Sequence, residues 1–136
     1  MVDSNCIFCK IAQGQIPSAT LYEDANFRVI LDIAPASKGH CLILPKEHAR
    51  GLMDLDEPMI SDVLPLARYI MERLQPILQC DGFHVLQNNE AIAGQTVFHY
   101  HTHLIPRYEG DQVGLTWSPG VLDDATRADI MSAFEA

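Results

Sequence analysis

The sequence of 136 residues lacks long apolar runs and lacks an excess of basic side chains. Its longest apolar stretch, Cys41–Pro45, is the length of a strand, whereas a membrane helix needs about 20 apolar residues. Nine Lys and Arg against 18 Asp and Glu give a net charge of −9, which argues against a binder of nucleic-acid polymers. The first residues show neither the basic nor the apolar part of a signal peptide. We therefore expect a cytoplasmic protein with no membrane or nucleic-acid polymer as a partner.

Repeats, low-complexity tracts and flexible linkers are also missing, so the chain is expected to form one domain over residues 1–136. Hydrophobic residues make up 48% of the chain and charged residues 20%, which is typical of a globular protein with one core. The four cysteines should be reduced in the cytoplasm. Cys41 lies inside an apolar run and Cys80 ends a helical one, so both are predicted to be small core residues.

The apolar pattern predicts four strands and two helices. The strands are Phe27–Leu31, His40–Leu44, Phe83–Gln87 and Val97–Ile105. The helices are Asp56–Gln79, with Gly82 as its left-handed cap, and Asp123–Phe134, with Asp123 as its N-cap. Because strands and helices do not alternate regularly, the pattern favours an α+β protein with an antiparallel sheet.

Three histidines, His99, His101 and His103, occur at every second position of the last predicted strand, where they would share one face. Two kinds of chemistry suit such a face: chelation of a metal ion, and nucleophilic catalysis by imidazole. The preceding loop at 88–96 offers carboxamides, a hydroxyl and backbone amides, with Glu90 as the one carboxylate beside the run. A wall rich in neutral donors favours phosphoryl or nucleotidyl transfer.

The run His99–Ile105 matches the His-φ-His-φ-His-φ-φ signature of the histidine-triad (HIT) family, with Thr102 as a departure at one φ position. The resemblance extends over about residues 4–108 and leaves the tail at 109–136 unassigned. Its other landmarks, in the family's order, are Cys6–Ile11, Leu31–Pro35, Gly39–His40, Leu44–His48 and Ala93–Thr96. The resemblance implies a HIT-like fold: an antiparallel sheet of about five strands packed with one long helix and one or two short ones.

The same resemblance implies a catalytic role for four histidines. His101 would attack the α-phosphorus of a nucleoside monophosphate conjugate, which can be a phosphoramidate, an ester or an anhydride. A nucleotidyl-histidine would form, and water would then release the nucleoside monophosphate. His103 would donate to the phosphate oxygens, His99 would orient the backbone of the site, and His40 would support His101 from the neighbouring strand.

The resemblance also implies binding roles for eight further residues and a homodimer of chains. Asp32 would accept hydrogen bonds from the ribose hydroxyls, although a turn-forming aspartate is the alternative interpretation. The α-phosphate or leaving group would be held by Asn88, Gln95 and Thr96. The pocket for a purine base would be lined by Phe8, Ile11, Ile30 and Ile33.

The pair Cys6 and Cys9 has the spacing of metal ligands, but two thiols do not complete a tetrahedral site. By resemblance, His48 and His99 complete a structural zinc site, one per chain. A redox role is less favoured, because no thioredoxin-like βαβ pattern flanks the pair.

Two alternatives to a nucleotide hydrolase or transferase stay open at this point. One is a nucleotide-binding regulatory module with little turnover. The other is a metalloenzyme in which the His triad itself holds the catalytic ion.

Overall fold

Within residues 2–136, which the computed structural model describes, five strands form one antiparallel sheet in the order β1-β2-β3-β5-β4. The strands are β1 (Thr20–Glu23), β2 (Phe27–Leu31), β3 (Cys41–Pro45), β4 (Gly82–Gln87) and β5 (Thr102–Arg107). The α-helices are α1 (Ile7–Ala12), α2 (Glu57–Leu78) and α3 (Asp124–Glu135). The predicted α+β class, with an antiparallel sheet and one long helix, is confirmed.

Side chains alternate between the two faces of the sheet, and each face has its own apolar cluster. One face packs under α2, with Val29, Ile43 and Leu104 fully buried. The other face packs under α1 through Ile30, Leu42 and Leu44. His103 pairs with Leu42 across β3 and β5, so its side chain lies on the α1 face. The α1 face therefore carries the candidate site, and the α2 face is core.

Helix α2 follows the predicted periodicity and buries a stripe of Val63, Leu66, Ala67, Ile70 and Leu74. Its end differs from the prediction. Gln79 adopts the left-handed conformation (φ 54°) and donates its N–H to the Gln75 carbonyl, which ends the helix. The prediction that Gly82 caps this helix is therefore wrong, because Gly82 already begins β4.

The fourth predicted strand, Val97–Ile105, is shifted along the chain. Strand β5 begins only at Thr102 and continues to Arg107, two residues beyond the predicted end at Ile105. The preceding segment leaves the sheet because Tyr100 donates its N–H to the Ala49 carbonyl at 2.7 Å. The first two histidines of the triad therefore precede the strand.

The short elements α1 and β1 were not predicted, because α1 has fewer than two helical turns and only Tyr22 of β1 is partly buried, so neither shows a clear apolar period. The terminal helix was predicted to within one residue, and Asp123 caps it by accepting the Thr126 N–H at 2.8 Å. Among the residues described here, no helix is both long and apolar enough to cross a membrane.

Candidate functional site

The imidazole of His101 is held in one tautomer by the backbone. Its Nδ1 lies 2.7 Å from the His99 carbonyl oxygen, which can only accept, so Nδ1 carries the proton and Nε2 keeps a lone pair. Within residues 2–136, Nε2 has no hydrogen-bond partner, and no buried side-chain nitrogen or oxygen lacks one, so Nε2 reaches solvent. Burial lowers the pKa of His101, which keeps the ring neutral at pH 7. A neutral imidazole with a free lone pair is a competent nucleophile.

His103 is held in the opposite tautomer by a chain of two hydrogen bonds. The Ala36 N–H donates to His40 Nδ1 at 2.9 Å, so the ring proton of His40 must be on Nε2. That Nε2–H donates to His103 Nδ1 at 2.8 Å, which leaves the proton of His103 on its own Nε2. The resemblance implied that His40 supports His101, whereas the structure places the His40 ring against His103, because His40 lies just before β3 and β3 pairs with β5.

The His101 and His103 rings are adjacent and chemically complementary. Their centroids are 5.0 Å apart. Burial, together with the neighbouring imidazoles, lowers the pKa of His103 to about 4. At neutral pH the site therefore presents one lone pair, on His101, and one neutral N–H donor, on His103.

The depressed pKa of His103 makes stability depend on pH. The unfolded chain binds a proton on this group near pH 6.5 and the folded chain only near pH 4, so folding is favoured more above pH 6.5 and less as the pH falls towards 4. Between pH 7 and pH 4 the free energy of unfolding should therefore fall by on the order of 2 kcal/mol less in His103→Asn than in the unmodified protein. Asparagine can still accept the His40 bond through its oxygen. Urea unfolding of both proteins from pH 4 to 7 tests this, and parallel pH curves would contradict it.

The remaining histidine of the triad turns towards the cysteines. The Nε2–H of His99 donates to the Pro45 carbonyl at 2.8 Å, so Nδ1 carries a lone pair, which lies 3.4 Å from the Sγ atoms of both Cys6 and Cys9. His48 Nδ1 lies 3.3 Å from Cys9 Sγ. We call these four residues the Cys2His2 cluster, and its ligand atoms all lie within 4.8 Å of one another.

The donor set of the Cys2His2 cluster fits a tetrahedral zinc ion. Typical Zn–S and Zn–N bonds separate sulfur and nitrogen ligands by about 3.5 Å, so the three sulfur–nitrogen pairs that lie 3.3–3.4 Å apart need to widen by only about 0.2 Å. The Pro45 carbonyl fixes the His99 tautomer that a metal requires. Burial raises the pKa of the Cys9 thiol, so a thiolate there requires a nearby positive charge such as a metal ion.

A second group with ligand-like spacing, Asp32, His40 and His103, does not suit a metal. Nδ1 of His40 accepts the Ala36 N–H, and Nε2 of His40 carries the ring proton, so neither nitrogen has a lone pair free for a metal. A metal on His40 Nε2 would have to displace that proton and leave an anionic ring. This observation, with His99 turned towards the cysteines, counts against a catalytic ion held by the triad.

Asp32 serves a turn and also faces the histidines. Its Oδ1 accepts the Ala34 N–H at 2.9 Å, as the turn-forming alternative requires. Its Oδ2 lies 3.6 Å from His40 Nε2 and keeps lone pairs available. The two interpretations of Asp32 are therefore compatible, and its contact with ribose stays a prediction.

Three of the four residues predicted for the base pocket come together. Phe8 and Ile11 of α1 pack on the cluster that contains Ile30. The Phe8 ring also meets the His101 ring edge to face, with centroids 5.0 Å apart. Ile33 is fully exposed in the loop after β2 and is not packed with them.

In the loop before the triad, the Gln95 side chain is hydrogen-bonded to three backbone groups. Its Oε1 accepts the Glu90 N–H at 2.8 Å, and its Nε2 donates to the carbonyls of Arg50 and Val97. Both amide protons are thus in use, and donation to a phosphate would break one of these bonds.

The other two predicted donors of this loop are available. Neither the Asn88 carboxamide nor the Thr96 hydroxyl makes a hydrogen bond within residues 2–136. Gly94 has φ 96°, and a Cβ there would lie 3.3 Å from Asn88 Nδ2, so glycine lets the loop approach Asn88 closely.

Comparison with known proteins agrees with this geometry. A family model, the HIT domain, matches residues 13–110. Adenosine 5'-monophosphoramidase hnt1 of Schizosaccharomyces pombe is 43% identical over 114 residues, which are 83% of either chain. A solved structure from Streptococcus mutans superposes with a TM-score of 0.92 at 35% identity, covering 98% of this chain and 85% of the other.

A zinc-bound histidine triad family protein from Mycobacterium smegmatis superposes with a TM-score of 0.77 at 35% identity, covering 95% of this chain and 97% of the other. Sheet, long helix and triad together define a protein of the histidine-triad class. The chain belongs to the HIT family.

Proposed function

We propose that this chain is a hydrolase or transferase that acts on nucleoside monophosphate conjugates through a nucleotidyl-histidine at His101. The free lone pair on His101 Nε2 beside the N–H of His103 carries the proposal. Attack by Nε2 forms an N–P bond and breaks the bond from the α-phosphorus to the leaving group. Water then attacks the same phosphorus, and the nucleoside monophosphate leaves while His101 is regenerated. One difficult displacement is thus divided into two easier ones.

The proposed substrate class is a purine nucleoside phosphoramidate or a related conjugate. The fission yeast relative is named an adenosine 5'-monophosphoramidase, which supports this choice. Incubation with an adenosine phosphoramidate should release adenosine monophosphate over many turnovers. Tight binding with no turnover would instead favour a regulatory module.

Asp32 is proposed to hold the ribose hydroxyls. Asp32→Asn keeps the oxygen that accepts the Ala34 N–H but removes the charge, so the turn is preserved. We expect ribonucleotide affinity to fall by roughly tenfold, because a hydrogen bond to a charged acceptor contributes about 1.5–3 kcal/mol. Calorimetry with adenosine monophosphate and its 2'-deoxy analogue measures this difference. An equal loss for both sugars would restrict Asp32 to its turn.

We further propose one structural zinc per chain in the Cys2His2 cluster. Four protein ligands would close its coordination, so the ion would fix the N-terminal segment to the sheet and leave His101 and His103 free for phosphate chemistry. None of the four cysteines forms a disulfide, so Cys6 and Cys9 are both available to bind the ion. The zinc-bound mycobacterial relative is compatible with this site.

The protein is also proposed to form a homodimer. Strand β4 pairs with β5 on one side, and its other edge ends the sheet, with Val85 exposed on it. An exposed edge of this kind can be covered by a second copy of the chain.

A further inference from the structure

Helix α1 is held on the sheet by an apolar cluster, by the Cys2His2 cluster and by Arg28 of β2, whose Nε donates to the Ala12 carbonyl at 3.1 Å. It is six residues long, too short to be stable alone, and its apolar contacts are confined to one small cluster. Its first turn is bracketed by Cys6 and Cys9 of the Cys2His2 cluster. Cys6 Sγ caps the helix by accepting the Cys9 N–H at 3.3 Å, and Cys9 is fully buried. The position of the first turn of α1 therefore depends on the Cys2His2 cluster.

The same turn of α1 forms part of the candidate site. Phe8 lies between the two cysteines, and its ring meets His101 at a centroid distance of 5.0 Å and His99 at 6.1 Å. A movement of this turn changes the wall of the proposed base pocket and the surroundings of the nucleophile together.

A second connection runs through His99. Its Nδ1 faces the cysteines, while its backbone carbonyl accepts the His101 Nδ1–H at 2.7 Å. The group that fixes the tautomer of the nucleophile thus belongs to a residue of the Cys2His2 cluster. His99 is in this sense a positioning residue for His101.

We propose that zinc in the Cys2His2 cluster and a nucleotide on the α1 face stabilise each other's binding through Phe8 and His99. The inference rests on the proposed function, because it requires a nucleotide pocket at this face. Coupling between two binding sites is reciprocal and typically amounts to about 5- to 150-fold. Because both connections are direct contacts, we expect each ligand to tighten the other by roughly tenfold.

The test measures zinc affinity of the full-length, zinc-loaded protein by competition with a chelator of known affinity. The apparent Kd for zinc should be roughly tenfold lower with saturating adenosine monophosphate than without it. If adenosine monophosphate binds but the zinc Kd is unchanged, the coupling is refuted and the proposed function stands. If adenosine monophosphate does not bind the zinc-loaded chain, the proposed function itself is overturned.

A matched pair of variants tests the route. Phe8→Ala and Ile7→Ala each truncate one side chain of α1 and keep all four ligands, but Ile7 is half exposed (52%). We expect Phe8→Ala to lose most of the tenfold effect at saturating nucleotide and Ile7→Ala to retain it. The full effect in Phe8→Ala would overturn the route through that ring.

Discussion

Replacing His101 with asparagine is expected to lower turnover of an adenosine phosphoramidate by at least about a thousandfold, because the covalent route is removed. The asparagine amide can still donate to the His99 carbonyl, as His101 Nδ1 does, so the backbone of the site should keep its shape. The kcat of both proteins and rapid-quench detection of nucleotidyl-protein measure the effect.

Binding of adenosine monophosphate by His101→Asn should stay within a few fold of the unchanged protein, because Phe8, Asp32 and the loop donors are untouched. His84→Asn is the matched control, since His84 lies on β4 and contacts Arg107 outside the candidate site. A burst of nucleotidyl-protein in His101→Asn would contradict the assignment of the nucleophile.

The second large effect is expected from Cys9→Ser. Protein purified without chelator should contain close to one zinc per chain, and the variant close to none. Loss of a structural metal should lower the free energy of unfolding by several kcal/mol, because the first turn of α1 loses its link to the sheet and the nitrogens of His48 and His99 lose the ion that they bind. Metal analysis and denaturant unfolding measure the two effects.

Two controls separate this result from a general effect of losing a thiol or a histidine. Cys80→Ser alters a buried thiol outside the Cys2His2 cluster and should keep its zinc, as should His101→Asn. If zinc were lost from His101→Asn and kept by Cys9→Ser, the metal would belong to the catalytic face.

The elements that could be predicted are those whose local pattern agrees with their packing. Helix α2 has enough turns for its buried stripe to stand out, and β2 has the bounds that its apolar run predicts. The start of β5 could not be predicted, because it depends on the bond from Tyr100 to Ala49, 51 positions away in the chain. The secondary-structure propensity of the residues near Thr102 gives no information about such a long-range contact.

For the candidate site, the sequence indicated which residues belong to it but not how their rings are oriented. Histidines at every second position indicate chemistry by themselves, and the resemblance supplied Cys6, Cys9 and His48. The sequence could not show what fixes each ring, because the deciding groups are backbone atoms: the amide of Ala36 and the carbonyls of Pro45 and His99. Every residue has such atoms, so residue type gives no signal for them.

The neutral histidines also determine how the protein responds to ionic strength. The residues predicted to contact the nucleotide include no lysine or arginine, and burial holds His101 and His103 uncharged at neutral pH. Phosphate sites built from cations lose affinity in salt through screening and counterion effects. In the proposed site the anion would meet dipoles at hydrogen-bond distance, which mobile ions screen little. A chain of net charge −9 would thus hold a nucleotide with an affinity that changes little between dilute buffer and the salt of a cell.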